Sequence, residues 1–428
     1  MFFLVFDFKL LYDEKNIREV QMKKYLLLTF VVLCLMIAGC AVPFRRTLDN
    51  YIMTGKYDLA DKLIDKEKKD GSEYNDKSQL IYLFDKGSVT QMLGEYKISS
   101  DFLQQADDMI DKLYTKSAVD ETYSFLSNDL ALKYTGEDFE QVMVDILSAL
   151  DYMYTGNFKD ARIEVKKVNN KINLISDSYG DKAIYKDDAF ARFISGFCYE
   201  ANGEINDAYI DYKLSLREYE QYNKYYGTPV PEEAKEAVIR CARALNFRDD
   251  IQEFVKNYGD VSTMSESDLD KKSELLFVIY DGMPAYKVEG AYHMPVFIGR
   301  GYNLESVDAY AQGLTFTAFT AQDVSAMAVK NLQVRVGVIL LKKAASGVVK
   351  ELAKQIPILK YFVQEDKADT RSWRTIPARF DLIRMAVNPG KVKVGLVFTP
   401  TDTMVQNEMD FDYKLKPGEK KVVPVFCY

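Results

Sequence analysis

The sequence predicts an α+β multidomain protein: a helical-repeat solenoid, then an antiparallel β-sandwich-like domain with one long inserted helix. Three observations carry that expectation. A short glycine–polar–apolar phrase recurs four times between residues 44 and 258. After residue 272 the apolar residues change from helical spacing to short runs bounded by Pro, Gly and Asn. Among those runs, Asp323 to Lys354 alone keeps a helical pattern.

The N-terminus reads as an export signal. Met22-Lys23-Lys24 is basic, Tyr25 to Ile37 is an apolar run, and Ile37-Ala38-Gly39-Cys40 closes it. The run is shorter than the roughly 20 residues that a spanning helix needs. Small residues directly before Cys40 resemble the lipobox of bacterial lipoproteins. That resemblance implies acylation of the Cys40 thiol (a palmitate-type modification), cleavage before it, and a mature chain tethered to a membrane. Residues 1–39 are thus expected to be signal peptide, with 1–21 an over-long start ahead of Met22. Ala41 stands where aspartate would favour inner-membrane retention, so the resemblance implies an outer-membrane lipid and a periplasm-facing protein.

The helical-repeat domain is expected over 40–258. Its phrase appears at Gly55-Lys56-Tyr57, Gly94-Glu95-Tyr96, Gly156-Asn157-Phe158 and Gly203-Glu204-Ile205. Alanine follows at Ala60, Ala161 and Ala208, with Ser99 in the second copy. Tyr51, Tyr152 and Tyr199 precede the glycine by four residues; Gly87 and Gly196 precede it by seven. Glycine ends one helix, the large residue starts the next and packs backwards, and the small residue lets two helices approach. This resembles the tetratricopeptide repeat, although the glycines lie 39, 62 and 47 residues apart rather than at a regular 34. These are core and turn positions, not ligand contacts. Tyrosines gather at 209–226, where interfaces and cores both favour them.

A polar stretch, 259–272, reads as a linker, and 273–428 as the β-rich domain. Strands are expected at 275–280, 285–289, 295–298, 314–319, 380–387, 391–398, 410–415 and 421–426, with hairpins at Asn388-Pro389-Gly390 and Lys416-Pro417-Gly418. Helix 323–354 should cap at Asp323 and lie buried, since 334–341 is apolar almost all round. The phrase from Ala368 to Arg379 holds the only tryptophan. With the strand and Pro-Gly turn after it, this phrase resembles a group of uncharacterised envelope lipoproteins sharing an ADTRSW-type motif. Asp369, Arg371, Trp373 and Arg374 admit two readings: ligand or glycan contact through charge and stacking, or a structural lock on the loop entering a central strand.

Composition bounds the function. A net charge of -8 argues against nucleic acid, which would want a basic face. His293 is the only histidine, and no nucleophile elbow, P-loop or dinucleotide fingerprint is present. No cofactor, metal or catalytic residue is therefore expected. Cys198, Cys241 and Cys427 remain after the signal; a Cys198–Cys241 bridge or buried thiols both fit. The sequence reads as a non-enzymatic envelope scaffold that binds other proteins, of identity it does not name, in outer-membrane or cell-wall assembly. A glycan-acting or glycan-binding protein with its site in the C-terminal domain is the alternative.

Overall fold

The computed structural model describes residues 43–117, 132–179, 187–291, 295–333, 368–403 and 405–428. Cys40 and the rest of the signal, His293, and the predicted helix beyond 333 lie outside the described residues. Contacts divide the chain after Leu48 into a short N-terminal unit and one large compact unit, Asp49–Tyr428. The helices and strands that the sequence assigns to separate halves thus share one body.

Helix α1 (Phe44–Met53) is followed by α2 (Tyr57–Asp70), α3 (Gln79–Met92), α4 (Tyr96–Ser117), α5 (Asp138–Tyr154), α6 (Phe158–Tyr179), α7 (Ala189–Ala201), α8 (Ile205–Tyr226), α9 (Glu232–Ala244), α10 (Arg248–Tyr258) and the short α11 (Glu266–Leu269). From α2 to α10 each helix packs on the next, and α5 also touches α3 and α7. Helices α3, α5 and α7 therefore form an inner layer, with α4, α6 and α8 outside it.

The phrase closes four helix pairs by one device. The Gly94 amide donates to Gln91 O at 2.9 Å and the next amide, of Glu95, to Thr90 O at 2.9 Å; the same two bonds recur at Gly55, Gly156 and Gly203. Each glycine is left-handed, with φ between 67° and 77°, where an L side chain is strained. A fifth copy went unread in the sequence. Asn246, at φ 56°, takes the glycine position, its amide donating to Arg243 O and that of Phe247 to Ala242 O. Asparagine is the other residue that tolerates this region, so Leu245-Asn246-Phe247 was the available signal.

The strands are β1 (Ser273–Asp281), β2 (Tyr286–Glu289), β3 (Pro295–Ile298), β4 (Leu304–Ala311), β5 (Leu314–Thr317), β6 (Phe319–Asp323), β7 (Arg379–Val387), β8 (Gly390–Pro400), β9 (Asn407–Leu415) and β10 (Lys420–Cys427). They form one four-stranded sheet in the order β10-β1-β7-β6, another in the order β5-β4-β8-β9, and the separate hairpin β2-β3. The first sheet is not antiparallel throughout: β1 runs parallel to β10, Leu276 opposite Val422. The predicted strand 314–319 breaks at Ala318, whose amide donates to Val307 O, and the chain crosses there from one sheet to the other. Strand β4 was missed because its inward residues include Ala309 and Ala311, weak apolar marks.

Leu275, Phe277 and Ile279 of β1 join Val307 of β4 and Val392, Val394 and Leu396 of β8 in one core between the two four-stranded sheets. All nine residues of β1 are buried, because its other face meets the helices: α5 packs on β10 and α7 on β6. The order of layers is outer helices, inner helices, mixed sheet, antiparallel sheet. Asp323 caps the start of the inserted helix, accepting from the Ala326 amide at 2.8 Å, and residues 324–333 are helical. The stretch 259–272 does not hang free. Arg243 donates to Val261 O and pairs with Asp260, and the Gly418 amide donates to Lys272 O.

Candidate interaction surfaces

The inner helices are sealed by the chain's own C-terminal half. Twelve residues of α3, fourteen of α5 and twelve of α7 are buried, as expected for a helix covered all round. On α4 and α8 burial follows one stripe, such as Ala208, Asp211, Tyr212, Ser215 and Tyr219. A helical-repeat groove is therefore present in outline, but its inner side is filled.

Three fastenings hold it shut. The first is the ADTRSW phrase. Trp373, 1% exposed, stacks on Phe84 of α3 with ring centroids 4.2 Å apart. Its indole donates to Ser88 Oγ and its backbone amide to Glu140 Oε1 at 2.7 Å. Arg371 grips Asp369 through two nitrogens and donates to Lys77 O and Leu132 O. Arg374 pairs with Asp49 at 2.6 Å. All four residues flagged in the sequence thus engage the chain itself, and the tryptophan offers no open face for stacking.

The second fastening is an ionic clamp. Glu200 of α7, 1% exposed at its side chain, meets Arg384 of β7 at 2.7 Å, Arg240 of α9 at 2.8 Å and Lys420 of β10 at 2.8 Å. Glu274 of β1 shares Arg384 and Lys420. Burial pushes the Glu200 carboxyl up, but Arg384, Arg240 and Lys420 outweigh it and hold it well below the usual range. The third is a polar and aromatic seam. Tyr280 donates to Gln91 Oε1 and accepts from the Tyr154 hydroxyl at 2.8 Å, Gln91 donates to Asp151, and Phe190 stacks on Phe380. Gln322 of β6 donates to Asp188, whose other oxygen caps α7.

Burial drives several inner carboxyls upward. Glu140 and Asp145 rise to about 7, the first by burial and Glu137, the second by burial and Asp107 against the opposing Lys171. Burial also holds the Asp151 carboxyl well above the usual carboxylate range, against its hydrogen bonds from Ser99 and Gln91.

The repeat positions serve the core. Ala60, Ala161 and Ala208 have no exposed surface. A Cβ on Gly196 would lie 2.7 Å from the Tyr212 ring, and one on Gly87 2.7 Å from Leu103. Tyr57 meets Phe426, Tyr96 meets Tyr154, and Phe158 meets Phe197. Tyr199 is buried; Tyr51 and Tyr152 are half-buried. Cys198 and Cys241 are not bridged.

What stays open is on the outside. Leu59, Ile98, Ile163 and Ile210 stand exposed near the starts of outer helices. Between α8 and α10, a groove of about 490 Å³ is lined by Ile210, Leu214, Val238 and Phe254, with Lys213 and Glu253 at its rim. Lys213 bridges to Asp250 at 2.7 Å, and Tyr258 donates to Glu220 at 2.5 Å. A smaller cleft of about 340 Å³ beside the clamp includes Glu236, Arg240, Arg384 and Thr317. Among the described residues no group of His, Cys, Asp and Glu is arranged to hold a metal, and no helix is long and apolar enough to cross a membrane.

No family model and no curated protein matches this chain. Solved structures that it is similar to include a putative kinesin light chain with TPR-like repeats from Podosopora anserina (14% identity, 50% of this chain and 90% of that one, TM-score 0.33). The apo form of RapI (13%, 49% and 68%, 0.33) and MamA (13%, 50% and 86%, 0.30) are similar to the same degree. Likeness at this level carries no activity or partner with it.

Proposed function

We propose that this protein is a lipid-anchored cell-envelope scaffold that binds protein partners on its outer helical surface, in outer-membrane or cell-wall assembly. One observation supports the outer surface above all: the inner helices are covered by the protein's own sheets, while the groove between α8 and α10 is open and apolar-walled. A solenoid carries extended binding faces on a rigid frame, and here the mixed sheet supplies that rigidity. The lipobox-like run ending in Cys40 supports the tether.

In-cell crosslinking with affinity capture tests the reading. Ile210→Asp combined with Lys213→Glu should remove the main crosslinked proteins while leaving the thermal midpoint within a few degrees. Full retention of those partners overturns the outer-groove assignment. For the tether, Cys40→Ser should abolish fatty-acid labelling and leave uncleaved precursor; continued processing at residue 39 rejects it.

A further inference from the structure

Four strands end the two large sheets, and three of them are guarded against pairing with another chain. Strand β10 carries Pro424 and is covered by α5. Strands β5 and β6 are short, four and five residues. Strand β9 has none of these devices. It runs nine residues without proline, and its register on β8 is unbroken from Asn407 to Leu415. Among the described residues no strand pairs with its other edge. Such an edge offers a row of amides and carbonyls to any strand that fits it.

The side chains specify the fit. Glu408, Asp410, Asp412 and Lys414 alternate on the outer face, and all four are exposed. Met409, Phe411, Tyr413 and Leu415 alternate on the core face, opposite Leu396, Val394, Val392 and Gly390 of β8. Met409 is 44% exposed, and the stacked rings of Phe411 and Tyr413 are half-buried at the rim of the core. Charge is split along the strand, with three acids first and Lys414 and Lys416 after them. Lys393 of β8 pairs with Asp410 at 2.8 Å through side chains 66% and 60% exposed. Among the described residues no ion pair takes Glu408, Lys414 or Lys416.

A strand that is acidic at its start and basic at its end complements itself when reversed. A one-residue slip would set aspartate beside the aromatic rings, so the faces must stay in phase. With Asp412 opposite Asp412, Asp410 meets Lys414 and Glu408 meets Lys416, each twice. On the core face Phe411 then meets Tyr413, and Met409 meets Leu415. Placing Phe411 opposite Phe411 sets Asp410 against Asp412 twice, and placing Tyr413 opposite Tyr413 leaves only 411–415 paired. We infer that β9 is a dimerisation edge on which a second copy of this chain pairs antiparallel about Asp412, joining their four-stranded antiparallel sheets into one. That sheet is the layer farthest from the outer helices, so the α8–α10 groove of each copy stays open and the pair is bivalent.

Two differently tagged copies of the full chain, produced together and extracted in mild detergent, test this. Wild-type copies should be captured together. Glu408→Lys with Asp410→Lys in both copies should reduce co-capture at least about tenfold, as should Lys414→Glu with Lys416→Glu in both. One copy of each variant restores opposite charges at every pair and should recover most of the wild-type signal, which also shows that both variants fold. Asp412→Asn removes the one meeting of like charges and should strengthen association. Oxidative crosslinking reads the register independently. Asp412→Cys should give a disulfide-linked dimer, because residues facing across antiparallel strands lie about 4.5–5.5 Å apart, whereas Asp410→Cys lies too far from its own copy. Absence of wild-type co-capture, indifference to either charge reversal, or crosslinking of Asp412→Cys to a different protein each overturns the inference.

Discussion

Inner and outer helices arise from one repeated phrase and meet opposite fates. Helices α3, α5 and α7 are buried nearly all round and carry charges inside, among them Asp85, Glu140, Asp145, Asp151 and Glu200. Helices α4 and α8 bury a stripe and leave Ile98 and Ile210 in water. A charge on the inner layer, or on the buried stripe of an outer helix such as Asp211, is thus a committed part of the core, whereas one on an outer helix's open face is a solvated neighbour. The repeat sets the helix pairs, and the sheets decide which member of each pair becomes interior.

The widest separation should come from ion pairs. Glu200→Ala leaves Arg240, Arg384 and Lys420 short of their shared partner and should cost about 3–5 kcal/mol. The outer pair Lys213–Asp250, with side chains 52% and 35% exposed, should lose less than about 1 kcal/mol on Asp250→Ala. Urea midpoints followed by circular dichroism compare them directly; equal losses would erase the distinction between layers.

Packing comes next. Gly196→Ala drives a Cβ into the Tyr212 ring and should cost about 1–3 kcal/mol. Exposed Ile163→Ala on α6 should change stability by less than about 0.5 kcal/mol.

The pH dependence sharpens the contrast further. Glu140 and Asp145 have folded-state values raised to about 7, above the ordinary carboxyl range near 4 of an unfolded chain. Their contribution is fully present below that ordinary range and is lost as pH rises through 7. Thermal midpoints should therefore fall between pH 5.5 and 8. Glu140→Gln should flatten the slope; an unchanged slope would place the titration elsewhere. Glu200 works in the opposite sense, its folded value being lowered, so its contribution falls only in acid.

The smallest effect concerns the fifth turn. Asn246→Gly relieves a left-handed asparagine and should be neutral or stabilising by up to about 1 kcal/mol, while Asn246→Ala should destabilise. If alanine is as stable as glycine there, the turn is not the repeat device found at Gly94 and Gly203.

The helix pairs, their glycine turns and the buried alanines were legible in sequence because each depends on neighbours along the chain: a left-handed residue, a large apolar residue two on, a small residue where helices meet. Most strands were legible for the same reason. What the sequence could not place is long-range. The parallel pairing of β1 with β10 and the crossing at Ala318 depend on residues far apart in sequence. So does the role of Trp373. Its phrase stood out in the sequence, but only the folded chain puts Phe84, Ser88 and Glu140 around it. Tertiary structure alone decided that the inner face of the solenoid is filled from within. Burying it required the sheet, the tryptophan and the Glu200 clamp to arrive at one surface, and no local pattern encodes that meeting.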